Sequence, residues 1–374
     1  MMEKTIKIGD VFKVSSGGTP SRKKPEYFTT GTIPWVKTGD LKGRFANHPS
    51  EYITEEALKN SSAKIFPPNT VLLAMYGATI GACSILNFEA ATNQACAALL
   101  PTVKCEPIYL YYYLKSIKSE LIRKGVGGAQ PNISAGIIKD TKIPLPPLAT
   151  QKKIAAILDV ADAYRQKTKA LIKKYDELSQ SLFLDMFGDP VVNSMSWEKK
   201  KLGDLVENKD SKRVPVKMSD RDNMDGEYPY YGASGIIDYV DDYTHEDNNL
   251  LIGEDGANLV ARSTPIAFIA TGKYWVNNHA HVLGFNGKTN LVFLKFFINL
   301  IDLKPFVSGS AQPKLNRKNM DKIKVYNPPI KLQNQFAERI QKIEAQKAQA
   351  QESLEKAEEL FNSLLGQAFK GEIK

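Results

Sequence analysis

The chain has 374 residues, 43% of them hydrophobic, enough for two domains of ordinary size that each bury a core, which argues against a disordered chain. Its 50 basic and 41 acidic residues leave a net charge of +9, which favours a polyanionic partner without identifying one. The three cysteines, Cys83, Cys96 and Cys105, have no CxxC spacing, so neither a disulfide framework nor a zinc site is indicated, and a reducing cytoplasm is expected.

In chain order, residues 1–13 are charged and lack an apolar core followed by small residues, so no signal peptide is read there. A polar loop follows, Ser16-Gly17-Gly18-Thr19-Pro20-Ser21-Arg22-Lys23-Lys24. Short β-branched or aromatic runs punctuated by Gly, Pro, Asn and Asp make residues 1–148 a mainly β domain. The longest uncharged run, 71–88, approaches membrane-spanning length, but Tyr76, Gly77, Thr79, Gly81, Ser84 and Asn87 fit two buried strands around a glycine turn better. A helical stretch at 108–124 leads to Gly127-Gly128-Ala129-Gln130-Pro131-Asn132 and then to Pro146-Pro147.

From 149 to 187 no proline or glycine intervenes, and Ile154, Leu158, Ala161, Thr168, Leu171, Tyr175, Leu178, Leu182 and Met186 recur at spacings that suit one helix face. A helix of that extent is about 50 Å long at ~1.5 Å per residue. Residues 188–330 repeat the β reading, with a helical stretch at 291–300, the loop Gly309-Ser310-Ala311-Gln312-Pro313-Lys314, and Pro328-Pro329. The Glu198-Lys199-Lys200 run reads as a solvated linker. A second long helix occupies 331–374, uninterrupted from Lys331 to Leu365, with Phe336, Ile340, Ile343, Ala357, Leu360 and Leu364 on its apolar face.

The two halves repeat. Ala129-Gln130-Pro131 recurs as Ala311-Gln312-Pro313, Pro146-Pro147 as Pro328-Pro329, Gln151 as Gln333, Leu182 as Leu364 and Phe187 as Phe369, all at one spacing. Upstream the match needs gaps: Ile33-Pro34-Trp35 resembles Tyr228-Pro229-Tyr230, and Gly77-Ala78 resembles Gly256-Ala257. Matching stripes on two such long helices point to an antiparallel pair, in preference to each helix packing on its own domain. The expected fold is α+β with a pseudo-two-fold internal repeat: mainly β domains at 1–148 and 188–330, separated by long helices at 149–187 and 331–374 that form an antiparallel coiled-coil pair.

Motifs with a chemical reading are weak. Asn327-Pro328-Pro329-Ile330 approaches the tetrad with which amino-methyltransferases hold a target amine, but its fourth residue is not aromatic and its repeat is Leu145-Pro146-Pro147-Leu148, so helix entry explains both. His279 and His281 lie on one strand face without a third ligand nearby, and Ala267 to Lys273 lacks the first glycine of a phosphate-binding loop. No catalytic or metal-binding residue is assigned. The loops supply the candidate DNA contacts Thr19, Ser21, Arg22, Lys23, Lys24, Gln130, Asn132, Lys212, Arg213, Gln312 and Lys314, since glycine lets backbone approach phosphate, cations neutralise it and amides pair with adenine.

Taken in order, Gly17-Gly18-Thr19-Pro20, Ile33-Pro34-Trp35-Val36-Lys37-Thr38-Gly39-Asp40-Leu41, Asn93-Gln94-Ala95-Cys96 and Ile143-Pro144-Leu145-Pro146-Pro147-Leu148-Ala149-Thr150-Gln151 resemble the specificity subunit of type I restriction-modification systems. In the second half, Tyr228-Pro229-Tyr230-Tyr231-Gly232-Ala233-Ser234-Gly235, Gly253-Glu254-Asp255-Gly256-Ala257 and Asn277-Asn278-His279-Ala280-His281 fit a variant target-recognition domain of that family. To the candidate contacts these motifs add Lys37, Gln94, Ser234, His279 and His281, with Arg262 and Arg317 as further cations. The resemblance implies a non-catalytic DNA-binding chain in which each β domain reads one half of a bipartite, asymmetric target and the helices set the gap. It also implies two DNA adenine methyltransferase subunits and restriction-translocase subunits as partners, with S-adenosylmethionine, Mg²⁺ and ATP bound by them. The alternatives are a stand-alone DNA methyltransferase and a nucleic-acid-binding scaffold without sequence choice.

Overall fold

A computed structural model describes residues 5–126, 132–309 and 312–373. The chain divides into two compact units, Met1–Lys169 with Glu352–Lys374, and Ala170–Gln351.

In the first unit, strands Val14–Ser16, Cys96–Leu99, Val71–Ala74 and Cys83–Ile85 form an antiparallel sheet in that order. A second sheet runs Glu51–Ile53, Ile33–Val36, Ala90–Thr92 and Ile65–Phe66, with Ile33–Val36 parallel to Ala90–Thr92. Every residue of Val71–Ala74 is buried because both faces are covered: Val71 and Leu73 enter one core with Leu99 and Tyr109, while Leu72 and Ala74 enter another with Val36 and Phe66. The two-residue alternation of strand side chains makes this division. The uncharged run is thus a pair of strands, as its glycines suggested, with Gly81 at φ +76° in the turn.

The expected helix at 108–124 is two, Pro107–Ser116 and Lys118–Lys124, broken at Ile117. Proline opens the first, where no helical N–H is lost. Its tyrosines are buried, and their hydroxyls keep partners: Tyr109 donates to the Pro144 carbonyl at 2.9 Å, Tyr112 to Asp159 at 2.8 Å, and Tyr113 to the Lys142 carbonyl.

The second unit repeats this plan. Glu207–Asn208, Ala280–Gly284, Asn249–Gly253 and Ala267–Ala270 form an antiparallel sheet, and Gly235–Val240, Tyr228–Gly232 and Trp275–Val276 a second, its last pair parallel. Helix Leu291–Leu300 begins at Asn290, whose side chain accepts from the N–H groups of Val292 and Phe293. Of the loosely matched motifs, Ile33-Pro34-Trp35 and Tyr228-Pro229-Tyr230 lie in strands that each have a parallel neighbour, while Gly77-Ala78 and Gly256-Ala257 lie in the turns that follow strands Val71–Ala74 and Asn249–Gly253. The Glu198-Lys199-Lys200 run is no linker: strand Lys199–Lys201 pairs with Lys324–Tyr326.

The long helices are Leu148–Phe187 and Ile330–Phe369, each 40 residues. At ~1.5 Å per residue each extends about 60 Å. The second continues through Gly366, whose missing side chain leaves the hydrogen-bonded ladder intact. The pairing is antiparallel. In the first unit Tyr164 meets Ser353 at 2.7 Å and Lys169 meets Glu358 at 2.6 Å. In the second, Asp176 meets Lys347 at 2.5 Å, and Phe183 and Phe187 pack on Phe336.

Two expectations about the helices need correcting. Their ends also pack on the β domains: Ile154, Leu158, Phe361 and Ala368 share a core with Val71 and Tyr109, and Phe183, Phe187, Phe336 and Ile340 share one with Leu250 and Phe293. Compactness therefore does not break at the helix starts. Thr168 is buried as expected, but Leu171, Leu178 and Leu360 are exposed, whereas Ser179 and Phe361 are buried. A stripe repeating every 3.6 residues drifts against a seven-residue pattern, and the packed face lies about 100° round the helix from those leucines. Ala357 is buried, and Ala161, Tyr175, Leu182, Ile343 and Leu364 are half-buried.

Candidate nucleic-acid interface

In the first unit the Gly17-Gly18 pair faces inward. A β-carbon on Gly17 would lie 1.9 Å from the Thr92 carbonyl oxygen, and one on Gly18 2.4 Å from the backbone of Ser62. Gly18 donates to the Thr92 carbonyl at 2.9 Å and accepts from the Trp35 indole at 3.1 Å. These glycines anchor the loop and do not meet phosphate themselves, and Thr19 and Ser21 to Lys24 are left exposed.

The Arg22 guanidinium lies over the rings of Phe28 and Trp35, 4.4 and 5.1 Å from their centroids, and pairs with Glu51 at 2.6 Å. Lys37 pairs with the other oxygen of Glu51. The hydrogen bond from Arg22, joined by Lys37, outweighs burial and holds the Glu51 carboxyl below its usual range. Lys24 donates to the Tyr27 hydroxyl at 3.1 Å, and Thr19 bonds to Gln94.

Gln94 sits in the turn between Ala90–Thr92 and Cys96–Leu99, and Met75 ties that turn to Asn132. The Met75 N–H donates to the Ala95 carbonyl at 2.9 Å, and its own carbonyl accepts from Ile133 at 2.9 Å. Exposed Tyr76 bridges to Asn132. Gln130 lies outside the described residues.

The second unit reproduces this backbone frame with other side chains. Glu254 takes the place of Met75: its N–H donates to the His279 carbonyl at 2.8 Å, and its carbonyl accepts from Leu315 at 2.7 Å. Asp255 bridges to Lys314 as Tyr76 does to Asn132. His279 meets Asp255 at 2.8 Å, and Lys314 meets Glu254 at 3.1 Å. Gly253 brings in the hairpin of exposed Ser234, since a β-carbon there would lie 2.6 Å from the Ala233 carbonyl oxygen. Gln312 is exposed beside Pro313, whose carbonyl accepts from Gly256.

Three candidates are spent inside the fold. His281 is buried, its Nδ1 2.6 Å from Asp210 and its Nε2 2.8 Å from the Leu315 carbonyl. Arg213 donates to Glu254 at 2.6 Å and to the Ala280 carbonyl at 2.9 Å, and pairs with Asp210 at 3.4 Å. Arg262 donates to the carbonyls of Ile298 and Ile301 at 2.9 and 2.7 Å, satisfying the end of helix Leu291–Leu300. All three belong to scaffolding, because a polar or charged group drawn out of water needs its partners close by. Lys212 is exposed on a turn, and Arg317 is exposed beside Asp321. Sequence reasoning overlooked Tyr76, Asp255 and the carboxylates Glu51, Asp210 and Glu254; the Gly-Glu-Asp-Gly-Ala motif was their one visible signal.

Residues 3–175 and 195–359 match the family described as type I restriction modification DNA specificity domain. The chain is 26% identical over 348 residues to the type I restriction enzyme EcoprrI specificity subunit of Escherichia coli, covering 88% of this chain and 84% of that one. It is 24% identical over 408 residues to the MjaIX specificity subunit of Methanocaldococcus jannaschii, covering 98% and 93%. The crystal structure of the type I restriction-modification system S subunit from M. genitalium superposes with a TM-score of 0.64 at 18% identity, over 98% of this chain and 96% of that one, a likeness of fold. With two matching domains on one repeated frame, the chain belongs to the type I restriction-modification specificity subunit family.

Proposed function

We propose that each unit reads one half of a bipartite, asymmetric DNA target and that the paired helices set the gap between the halves. The observation that carries this is the shared frame of the two interfaces: Met75, Tyr76 and Asn132 in one, Glu254, Asp255 and Lys314 in the other. One frame presents a polar and aromatic set to its half-site, the other a charged set, so the half-sites differ. Exposed Lys23, Lys24, Lys212 and Arg317 suit phosphate, which positions a protein on the duplex without reading sequence. A helix of about 60 Å exceeds one DNA turn of roughly 34 Å.

The chain itself is non-catalytic in this reading. Two DNA adenine methyltransferase subunits and restriction-translocase subunits supply the chemistry and bind S-adenosylmethionine, Mg²⁺ and ATP, and the complex works in the cytoplasm. An apolar groove of about 630 Å³ in the first unit, bordered by Ile157, Val160, Tyr164, Leu360 and Leu364, offers a docking surface for such a partner. No helix among the described residues is long and apolar enough to cross a membrane.

The test is co-expression with the methyltransferase encoded beside it, followed by genome-wide mapping of methylated adenines. A split, asymmetric motif that disappears with this chain is expected. Unchanged methylation in a complex shown to assemble overturns the reading, and methyl transfer by the purified chain overturns its non-catalytic part.

A further inference from the structure

A cleft of about 640 Å³ opens in the first unit between residues 42–47, helix Pro107–Ser116 and the start of the first long helix. A smaller pocket of about 200 Å³ shares Lys42, Tyr111 and Lys115 with it and extends to Lys118. The charges of this cavity do not balance. Arg44 is spent on Asp159, and Arg165 on Asp162. Among the described residues no carboxylate lies within 4.0 Å of the ammonium groups of Lys42, Lys115 or Lys118.

Lys115 is half-buried, with two ring faces near its ammonium, Tyr111 at 5.5 Å and Phe361 at 5.4 Å. Burial, opposed by Asp162, pushes its ammonium below the ordinary lysine value. A cation held at such a cost is relieved by an arriving anion. Two further features select the anion. Both guanidinium groups, the planar forks that grip a carboxylate or a phosphate side-on, are already paired, and what remains is three point charges, Lys42 and Lys115 lining both cavities and Lys118 the smaller one. A tetrahedral group with several oxygens accepts from three ammonium groups at once.

We propose that this cleft is a binding site for a phosphoryl group, with Lys42, Lys115 and Lys118 as its ligands. The group belongs either to a DNA backbone phosphate or to a free phosphorylated molecule, and the chemistry of the site is common to both. Gly81 is part of the construction: a β-carbon there would lie 2.8 Å from the Lys118 side chain, so its absence lets that stem lie across the turn. None of the residues lining the site belongs to the loops that carry Arg22 and Gln94, and its phosphate test needs no DNA.

The experiment uses the full chain. Its thermal unfolding midpoint is compared in inorganic phosphate and in chloride at matched ionic strength, for the wild type, Lys115→Met and Lys42→Ala. A phosphate-dependent rise is expected in the wild type and its loss in both variants; the exposed Lys42 guards against a folding defect in the buried-site variant. In parallel, the salt dependence of DNA binding is measured. A log–log slope smaller by about 1 in each variant assigns the phosphate to the DNA backbone, and an unchanged slope beside a lost phosphate effect assigns it to a free ligand. No phosphate effect in the wild type with an unchanged slope, a rise that persists in both variants, or stabilisation by polyglutamate alone overturns the proposal.

Discussion

Glu254 holds Lys314 at 3.1 Å on one carboxylate oxygen and Arg213 at 2.6 Å on the other, so an exposed candidate contact and a half-buried cation share one anion. Asp210 completes the arrangement by pairing with Arg213 and His281. The network fixes the Glu254 turn from below while Lys314 reaches solvent above it.

Replacing Glu254 with Gln leaves Arg213 with half its compensation. The expected cost is about 3 kcal/mol, the lower end for breaking a buried ion pair because Lys314 is half exposed. Urea unfolding checks it, and a change within about 0.5 kcal/mol, the scatter of surface substitutions, would mean the turn stands without the network.

The same network makes the second unit sensitive to acid. Burial works to raise the Asp210 carboxyl, but the hydrogen bond and charge of the His281 ring, with the Val282 N–H and Arg213, hold it below its usual range. Glu254 is likewise lowered against its burial by Arg213, His281 and Lys314. Outside this network but in the same unit, burial, then Lys212, pushes His245 down from 6.5 to about 4. In all three cases the unfolded chain binds more protons, so stability rises with pH. The His245 contribution is complete above 6.5 and is lost as pH falls towards 4. The carboxylate contributions are complete above roughly 4 and are lost below it. Urea midpoints taken from pH 7 to 3 should fall in two stages, and the absence of the lower stage would remove the network from the stability of the unit.

Arg22, held by Phe28, Trp35 and Glu51, has the fixed fork that base reading requires. Arg22→Gln should weaken specific binding by about 1–3 kcal/mol and relax preference at one base pair of the first half-site only. Competition against a set of half-site variants reads both effects. Uniform weakening across all sequences would make Arg22 a phosphate contact instead.

Gln151 accepts from the Glu106 N–H at 2.9 Å and donates to the carbonyls of Lys104 and Pro146 at 3.1 and 2.8 Å. Gln333 repeats the role, accepting from Asn290 N–H at 2.8 Å and Thr289 at 2.9 Å and donating to the Pro328 carbonyl at 2.7 Å. Both are buried, so Gln→Ala at either position strands backbone groups and should cost about 1–3 kcal/mol. Denaturant unfolding of the two variants measures it, and a neutral outcome at both positions would reduce the repeated glutamine to a surface accident.

The division of labour between sequence and structure follows from the range of each interaction. The duplication, the two long helices, the strand pair at 71–88 and the glutamine after each Pro-Pro are local or periodic features, and neighbours along the chain are enough to reveal them. Which side chains are free to meet DNA is different. Arg213 reads as a surface cation until Glu254 and the Ala280 carbonyl fold around it, and His281 as a strand-edge imidazole until Asp210 and Leu315 close on its two nitrogens. Leu171, Leu178 and Leu360 satisfy the helix period, yet the neighbouring face is the one that packs. Hydrophobic period and repeat spacing are carried by residues a few positions apart. A charge's partner, a glycine's close neighbour and the packed side of a helix are chosen by residues far along the chain, and only the folded backbone brings those together.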